Sequence, residues 1–240
     1  MIYFYSSETN INNFKSLKME FDKYLSKSGP YEFQPFSNKD AFEKHIKDKK
    51  KCLLLLSSWH YSNIHKEYSL NPALVGMQNG KKYQKRILVA RGKSANINSV
   101  KTGRIASASS VKHTCGVLMG MLKEKNAVDR IKILTVPKDI DALMSVGFGM
   151  SIFALTTRNS LNKLNMVNSI LYKKMKILSE SKEALLLILA VPKTFSKDAE
   201  KMVNIIKNMP DNPDGKKKIR MLGLDGWQKL DSSDRLKLEG

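Results

Sequence analysis

The chain has 240 residues, 42% of them hydrophobic, and a formal net charge of +20 at pH 7. That length and apolar content suffice for one large domain or two small lobes with buried cores, and no apolar run approaches the roughly 20 residues of a membrane helix, which argues against a transmembrane role. The charge is spread over residues 1–91 (+8), 92–185 (+9) and 186–240 (+3); its lysine runs "KDKKK" and "GKKKIR" lack interleaved aromatics and read as exposed turns, so no nucleic-acid partner is expected, although the field favours a small anion.

The apolar period alternates between strand and helix along the chain. "IYFYSS" reads as a strand, reached with no basic and apolar leader before it, so no secretory signal is expected in this chain. A helix follows, with Phe14, Leu17, Phe21, Tyr24 and Leu25 on one face and a close at Gly29 and Pro30. "YEFQPF" is a second strand, "SNKDAFEKHIKDK" a short helix with Ser37 as candidate N-cap, and "KCLLLLSS" a third strand whose continuous hydrophobicity predicts burial on both faces. After "WHYSNIHKEYSL" come the strand "ALVGM", an Asn-Gly turn in "QNGK" and a long extended "KYQKRILVAR".

A second series follows the polar "GKSANINSVKTG": strand "RIASAS", a helix from about residue 113 to 125, strand "IKILTV", helix "KDIDALMSVGFG", strand "IFALTT" and a single helix "RNSLNKLNMVNSILYKKM". "ALLLILAV" is another fully apolar strand, a Pro-started helix with Phe195, Met202, Ile205 and Ile206 inward comes next, and "LGLDGWQKL" packs an aromatic near the end. Such alternation predicts an α/β chain of mostly parallel sheets flanked by helices.

Ligands of open α/β sheets lie beyond the carboxyl ends of the strands. Those ends carry Ser6 and Ser7; Ser57, Ser58, Trp59, His60 and Tyr61; Ser109, Ser110, His113 and Thr114; and Asp139, Thr156 and Thr157. No end carries a Ser-His-Asp set, paired carboxylates or a phosphate loop, so catalysis is not expected. Neither the two cysteines nor the four histidines have ligand spacing, and no metal or cofactor is assigned.

Each candidate has two readings. Ser109, Ser110 or Thr114 is either a helix N-cap or part of an anion cradle, because first-turn amides lack partners and face the positive end of the helix dipole. Trp59 and Tyr61 cover a sheet edge or wall a ligand. Asp139 is a first-turn carboxylate or a ligand contact, and Thr156 and Thr157 are caps or contacts.

"ILTVPKDIDALMSVGFGMSIFALTT" and the tail "LGLDGWQKLD" resemble blocks of the phosphate/phosphonate (PhnD-like) substrate-binding proteins of ABC transporters, which have a type II periplasmic-binding-protein fold. The resemblance implies two lobes, residues 1–90 with 188–240 and residues 91–187, joined by two hinge crossings and closing around a small polar or phosphonate-like anion for ABC-type uptake or sensing. It implies a small-molecule ligand, an ABC permease or membrane sensor as partner, a monomer, and a periplasmic or membrane-anchored extracytoplasmic location. "HTCG" matches the family's "sTSG" turn, keeping Thr114 and replacing a serine by Cys115; Asp139 stands where the family tends to have His, and Ile152 where it has Asp. The alternative is an enzyme on the same fold that acts on a small phosphorylated or heterocyclic substrate, with His60 or His113 as acid or base.

Overall fold

A computed structural model describes residues 1–9, 11, 13–48, 51–92, 96–123, 128 and 130–239. The chain divides into two units: residues 1–7, 12–83 and 184–240 form the first, residues 8–11 and 84–183 the second. The chain thus passes between the units at 7/8, 11/12, 83/84 and 183/184.

The first unit contains β1 (Ile2–Tyr5), α1 (Phe14–Leu25), β2 (Phe33–Pro35), α2 (Lys39–Asp48), β3 (Leu53–Leu56), α3 (Ser58–Ile64) and β4 (Leu70–Met77). A short β5 (Tyr83–Gln84) marks the passage at 83/84. After the second unit, β11 (Ala184–Leu185), β12 (Ile188–Pro192), α8 (Ser196–Lys207), α9 (Pro213–Met221), β13 (Gly226–Lys229) and α10 (Ser232–Glu239) complete the first; the second has β6 (Arg86–Arg91), β7 (Arg104–Ser107), α4 (Val111–Leu122), β8 (Lys132–Thr135), α5 (Asp139–Gly147), β9 (Phe153–Thr157), α6 (Arg158–Val167), α7 (Ser169–Lys174) and β10 (Met175–Glu180).

The first sheet runs β13-β4-β12-β3-β1-β2, parallel where β1 pairs with β2 and β3 and antiparallel at β12 and β13. Strand alternation supplies both faces of its core. Tyr3, Tyr5, Leu54 and Leu56 pack with Phe42, Ile46, Tyr61 and Ile64. On strand β2, Phe33 stacks on Phe21 of α1 with ring centroids 4.3 Å apart and lies 5.8 Å from Phe4.

The second sheet runs β10-β6-β9-β7-β8, parallel for β7 with β8 and β9, antiparallel for β6 with β9 and β10. Ile87, Val89, Ala106 and Ala154 face α5, α6 and α7; Leu88, Ala90, Ile105 and Leu155 face Val100 and Leu118. Both sheets are therefore mixed, with parallel strands at the ends from which the candidate residues project.

Several expectations change. Asn38 rather than Ser37 caps α2, its Oδ1 accepting from Ala41 N at 2.8 Å. "WHYSNI" is helix α3. The Asn-Gly turn exists, with Asn79 and Gly80 at φ +51 and +71, but beyond the bridge Gln78–Lys81 strand β4 pairs with β12 and β13, not with the strand that follows it. The long helix expected after β9 breaks at Asn168, whose Oδ1 accepts from Leu171 N at 2.9 Å and starts α7, and "MKILSE" is strand β10. Pro192 ends β12 instead of starting a helix. "GKKKIR" is part of α9, where Lys218 is buried against Glu20 and Asp214; Lys49 and Lys50 of "KDKKK", Lys93, Ser94 and Ala95 of "GKSANINSVKTG", and Glu124 and Lys125 at the expected end of α4 lie outside the described residues.

Candidate functional site

In the first unit, the carboxyl ends of β1 and β3 bring hydroxyls together. Ser7 and Ser57 Oγ atoms share a short hydrogen bond, and Ser57 also caps α3 by accepting from His60 N at 3.2 Å. Ser58 is buried, and its Oγ donates to Leu185 O at 2.5 Å. Trp59 is half-buried. His60 is fully buried and its Nε2 donates to Glu43 Oε1 at 2.8 Å; burial alone would raise Glu43, but hydrogen bonds from Lys39 and His60 hold its carboxyl below the usual range. Tyr61 is 2% exposed, its ring within the core and its hydroxyl donating to Leu70 O at 3.1 Å.

The second unit gathers a denser set at the carboxyl ends of β7 and β9. Ser110, not Thr114, is the N-cap of α4: its Oγ accepts from His113 N at 3.3 Å, and Thr114 N already bonds Ser110 O at 2.9 Å. The "HTCG" turn expected to open this helix therefore lies within its first two turns, and the amides with no intrahelical acceptor are those of Val111 and Lys112. Thr114 is fully buried and donates to Ser107 Oγ at 2.9 Å. Replacing Ser110 by Ala should cost about 1 kcal/mol in urea unfolding; an unchanged midpoint would show that the cap is not needed.

Arg86 organises this end, a residue the sequence hides inside a basic extended run. It is 4% exposed. Its Nη1 donates to Asp139 Oδ1 at 2.7 Å and its Nη2 to Glu8 O, while its buried Nε has no hydrogen-bond partner among the described residues. Ser109 Oγ donates to the same Glu8 carbonyl at 3.0 Å, and the Glu8 carboxylate accepts from Gln84 Nε2 at 2.8 Å. Thr156 Oγ1 donates to Asp139 O at 3.0 Å, whereas Thr157 caps α6 by accepting from Ser160 N at 3.2 Å. Antiparallel pairing of β6 with β9 sets Arg86 opposite Thr157, which brings the guanidinium level with these hydroxyls.

The electrostatics follow from burial. Desolvation, joined by the nearby Arg86 charge, pushes the His113 imidazole down to about 3. His113 is thus neutral at pH 7, unsuited to donate a proton as a general acid. Burial pushes the Asp139 carboxyl up against the pull of Arg86. Asp139, a first-turn carboxylate of α5, faces a guanidinium. Ile152 is 54% exposed just before β9, at the opposite end of that strand from Thr156, so the carried-over acid position is not part of this cluster. No group of three or more His, Cys, Asp and Glu side chains able to hold a metal occurs among the described residues, and no helix there is long and apolar enough to cross a membrane.

No curated protein matches the sequence. Three solved structures share the fold. XAC2383 from Xanthomonas citri, bound to ATP, is 9% identical with a TM-score of 0.70, covering 100% of this chain and 94% of that one. A binding protein component of an ABC phosphonate transporter from Pseudomonas aeruginosa (PA3383) is 14% identical with a TM-score of 0.70, covering 98% and 83%. PhnD1 from Prochlorococcus marinus, in complex with methylphosphonate, is 12% identical with a TM-score of 0.66, covering 98% and 93%. The fold they share with this chain is the type II periplasmic-binding-protein fold, and the family matched by the sequence gives the enzyme alternative no support. The family described as "ABC transporter, phosphonate, periplasmic substrate-binding protein" matches residues 4–235, so this chain belongs to the phosphonate-binding family of periplasmic ABC-transporter receptors.

Proposed function

We propose that the two units are the lobes of a monomeric receptor that closes on a small anion and delivers it to an ABC permease or a membrane sensor outside the cytoplasm. The second unit takes the oxyanion. The observation that carries this reading is the buried Arg86 guanidinium, with one partnerless N–H, held beside Ser109, His113 and the capped start of α4. Main-chain amides at a helix start and a buried guanidinium are the usual donors to a phosphorus oxyanion. Ser110, Thr114 and Thr156 orient this framework, while Ser7, Ser58, Trp59, His60 and Tyr61 form the corresponding strand end of the first unit.

Charge narrows the ligand class. Arg86 already faces Asp139, and Glu8, whose carbonyl it also binds, is buried with its carboxylate on Gln84, so a dianion would meet two carboxylates and a single guanidinium. A singly charged oxyanion, or one carrying an amino group, fits better than a bare dianion.

The test is thermal unfolding against methylphosphonate, 2-aminoethylphosphonate, phosphite, phosphate, sulfate, carboxylic acids and amines. A ligand at 100 times its Kd stabilises the native state by about 2.7 kcal/mol, which moves the midpoint by several degrees. A rise with one phosphorus oxyanion supports the reading. No rise with any compound would mean that the fold persists without this binding capacity.

A further inference from the structure

The second unit carries an apolar surface away from the proposed ligand site. At the end of its sheet remote from Arg86, six large apolar side chains stand in solvent: Phe148 is 73% exposed, Met150 55%, Ile152 54%, Met166 80%, Val167 74% and Ile170 70%. They come from two adjoining segments, the connection from α5 to β9 and the junction of α6 with α7. The segments are tied together locally, because a Cβ on Gly147 would meet Leu171 of α7 at 2.5 Å and Val146, Leu164 and Leu171 share one core cluster. Monomer surfaces rarely leave so many large apolar groups side by side without a use.

Cations border this patch. Arg91 Nη1 donates to Gly147 O at 2.9 Å, Gly92 N bonds Lys174 O at 3.1 Å, and Arg104 Nη1 reaches Met150 O at 3.5 Å. The sequence between Asp141 and Glu180 holds no Asp or Glu but contains Lys163, Lys173, Lys174 and Lys176, while Arg158, at the other end of α6, pairs with Glu180. The part of the chain from residue 84 to residue 123, which belongs to the second unit, likewise holds no Asp or Glu.

We propose that this end of the second unit is a peripheral membrane contact, its apolar side chains entering the interface of an anionic phospholipid bilayer while Arg91, Arg104, Lys173 and Lys174 engage the headgroups. An apolar protrusion ringed by lysine and arginine is the combination that binds such surfaces, each basic group adding to the attraction and the apolar groups fixing the depth. A second copy of the chain fits poorly, since it would press an equally basic surface against this one. Strand β9 runs from the patch at Ile152 to Thr156 and Thr157, so the proposed ligand end of this unit points away from the bilayer.

The experiment is cosedimentation of the full chain with vesicles of equal parts phosphatidylglycerol and phosphatidylcholine, and with phosphatidylcholine alone. Binding is expected only to the anionic vesicles, about tenfold weaker for F148S/I170S and for K173E/K174E, and reduced by salt. All four positions are on the surface, so both variants should keep the wild-type unfolding midpoint; M166S/V167S serves if F148S/I170S does not. Wild type that ignores anionic vesicles, variants that bind as wild type does, or a dimer in sedimentation that F148S/I170S dissolves would each overturn the proposal.

Discussion

Replacing Arg86 by methionine is expected to destabilise the protein by about 3–5 kcal/mol, the usual cost of leaving one member of a buried ion pair without its partner. Asp139 keeps only 15% of its side chain exposed, and the Arg86 side chain 5%, so solvent cannot take over the lost contact. The Glu8 carbonyl also loses its guanidinium donor, although Ser109 still bonds it. Removing both charges in R86M/D139L should recover most of that stability, because two buried charges are replaced by side chains of similar bulk. Anion-induced stabilisation should remain absent in the double variant. Urea unfolding of the three proteins with and without methylphosphonate separates the roles: a double variant that still responds to the oxyanion would remove Arg86 from the binding site, and an R86M protein as stable as wild type would remove the ion pair from the fold.

Acidification from pH 7 to pH 5 should weaken the fold through His113 by roughly 2 kcal/mol, at about 1.4 kcal/mol per pH unit below an unfolded value near 6.5. The sign follows from the direction of the shift. Burial and Arg86 push the folded imidazole down to about 3, so between these values the unfolded chain holds a proton that the folded protein does not. Stability from this residue is complete above pH 6.5 and declines as pH falls toward 3. Carboxylates held below their usual range, such as Glu43 and Asp214, lose their contributions at more acid pH. Denaturant unfolding of wild type and H113Q at pH 7 and pH 5 isolates the term: the difference between the proteins should grow as pH rises. Parallel pH dependence in the two would show that His113 is not the group that resists protonation.

The candidate site was partly legible because its polar residues follow apolar strands. Ser109, Ser110, Asp139 and Thr156 all sit where an apolar run stops, and local chemistry is enough to mark such positions. What each does there was not legible. Whether Ser110 or Thr114 caps α4 depends on where the backbone turns, and a four-residue difference moves the first-turn amides from the "HTCG" segment to Val111 and Lys112. From its place after β3, Tyr61 reads either as a cover of the sheet edge or as a ligand wall, and α3 turns its ring into the core. Arg86 and Glu8 gave no signal at all: one is a basic residue in an extended run with Lys82 and Lys85, the other a lone acid after β1, and they meet across 78 positions of sequence.

Sequence alone carries the alternation of strands and helices, the α/β class and the kinship, because apolar period and short motifs are local properties that survive without knowledge of neighbours. It also carries the dispersed positive charge and the long stretches without acidic residues. Strand pairing, and with it the position of the guanidinium, had to come from the three-dimensional fold: antiparallel pairing of β6 with β9 lifts Arg86 to the hydroxyl-rich end, where burial turns an ordinary arginine, aspartate and histidine into a coupled electrostatic unit. The same folding left Phe148, Met166 and Ile170 outside the core although their types predict burial, since each sits at a helix end beyond the reach of the sheet.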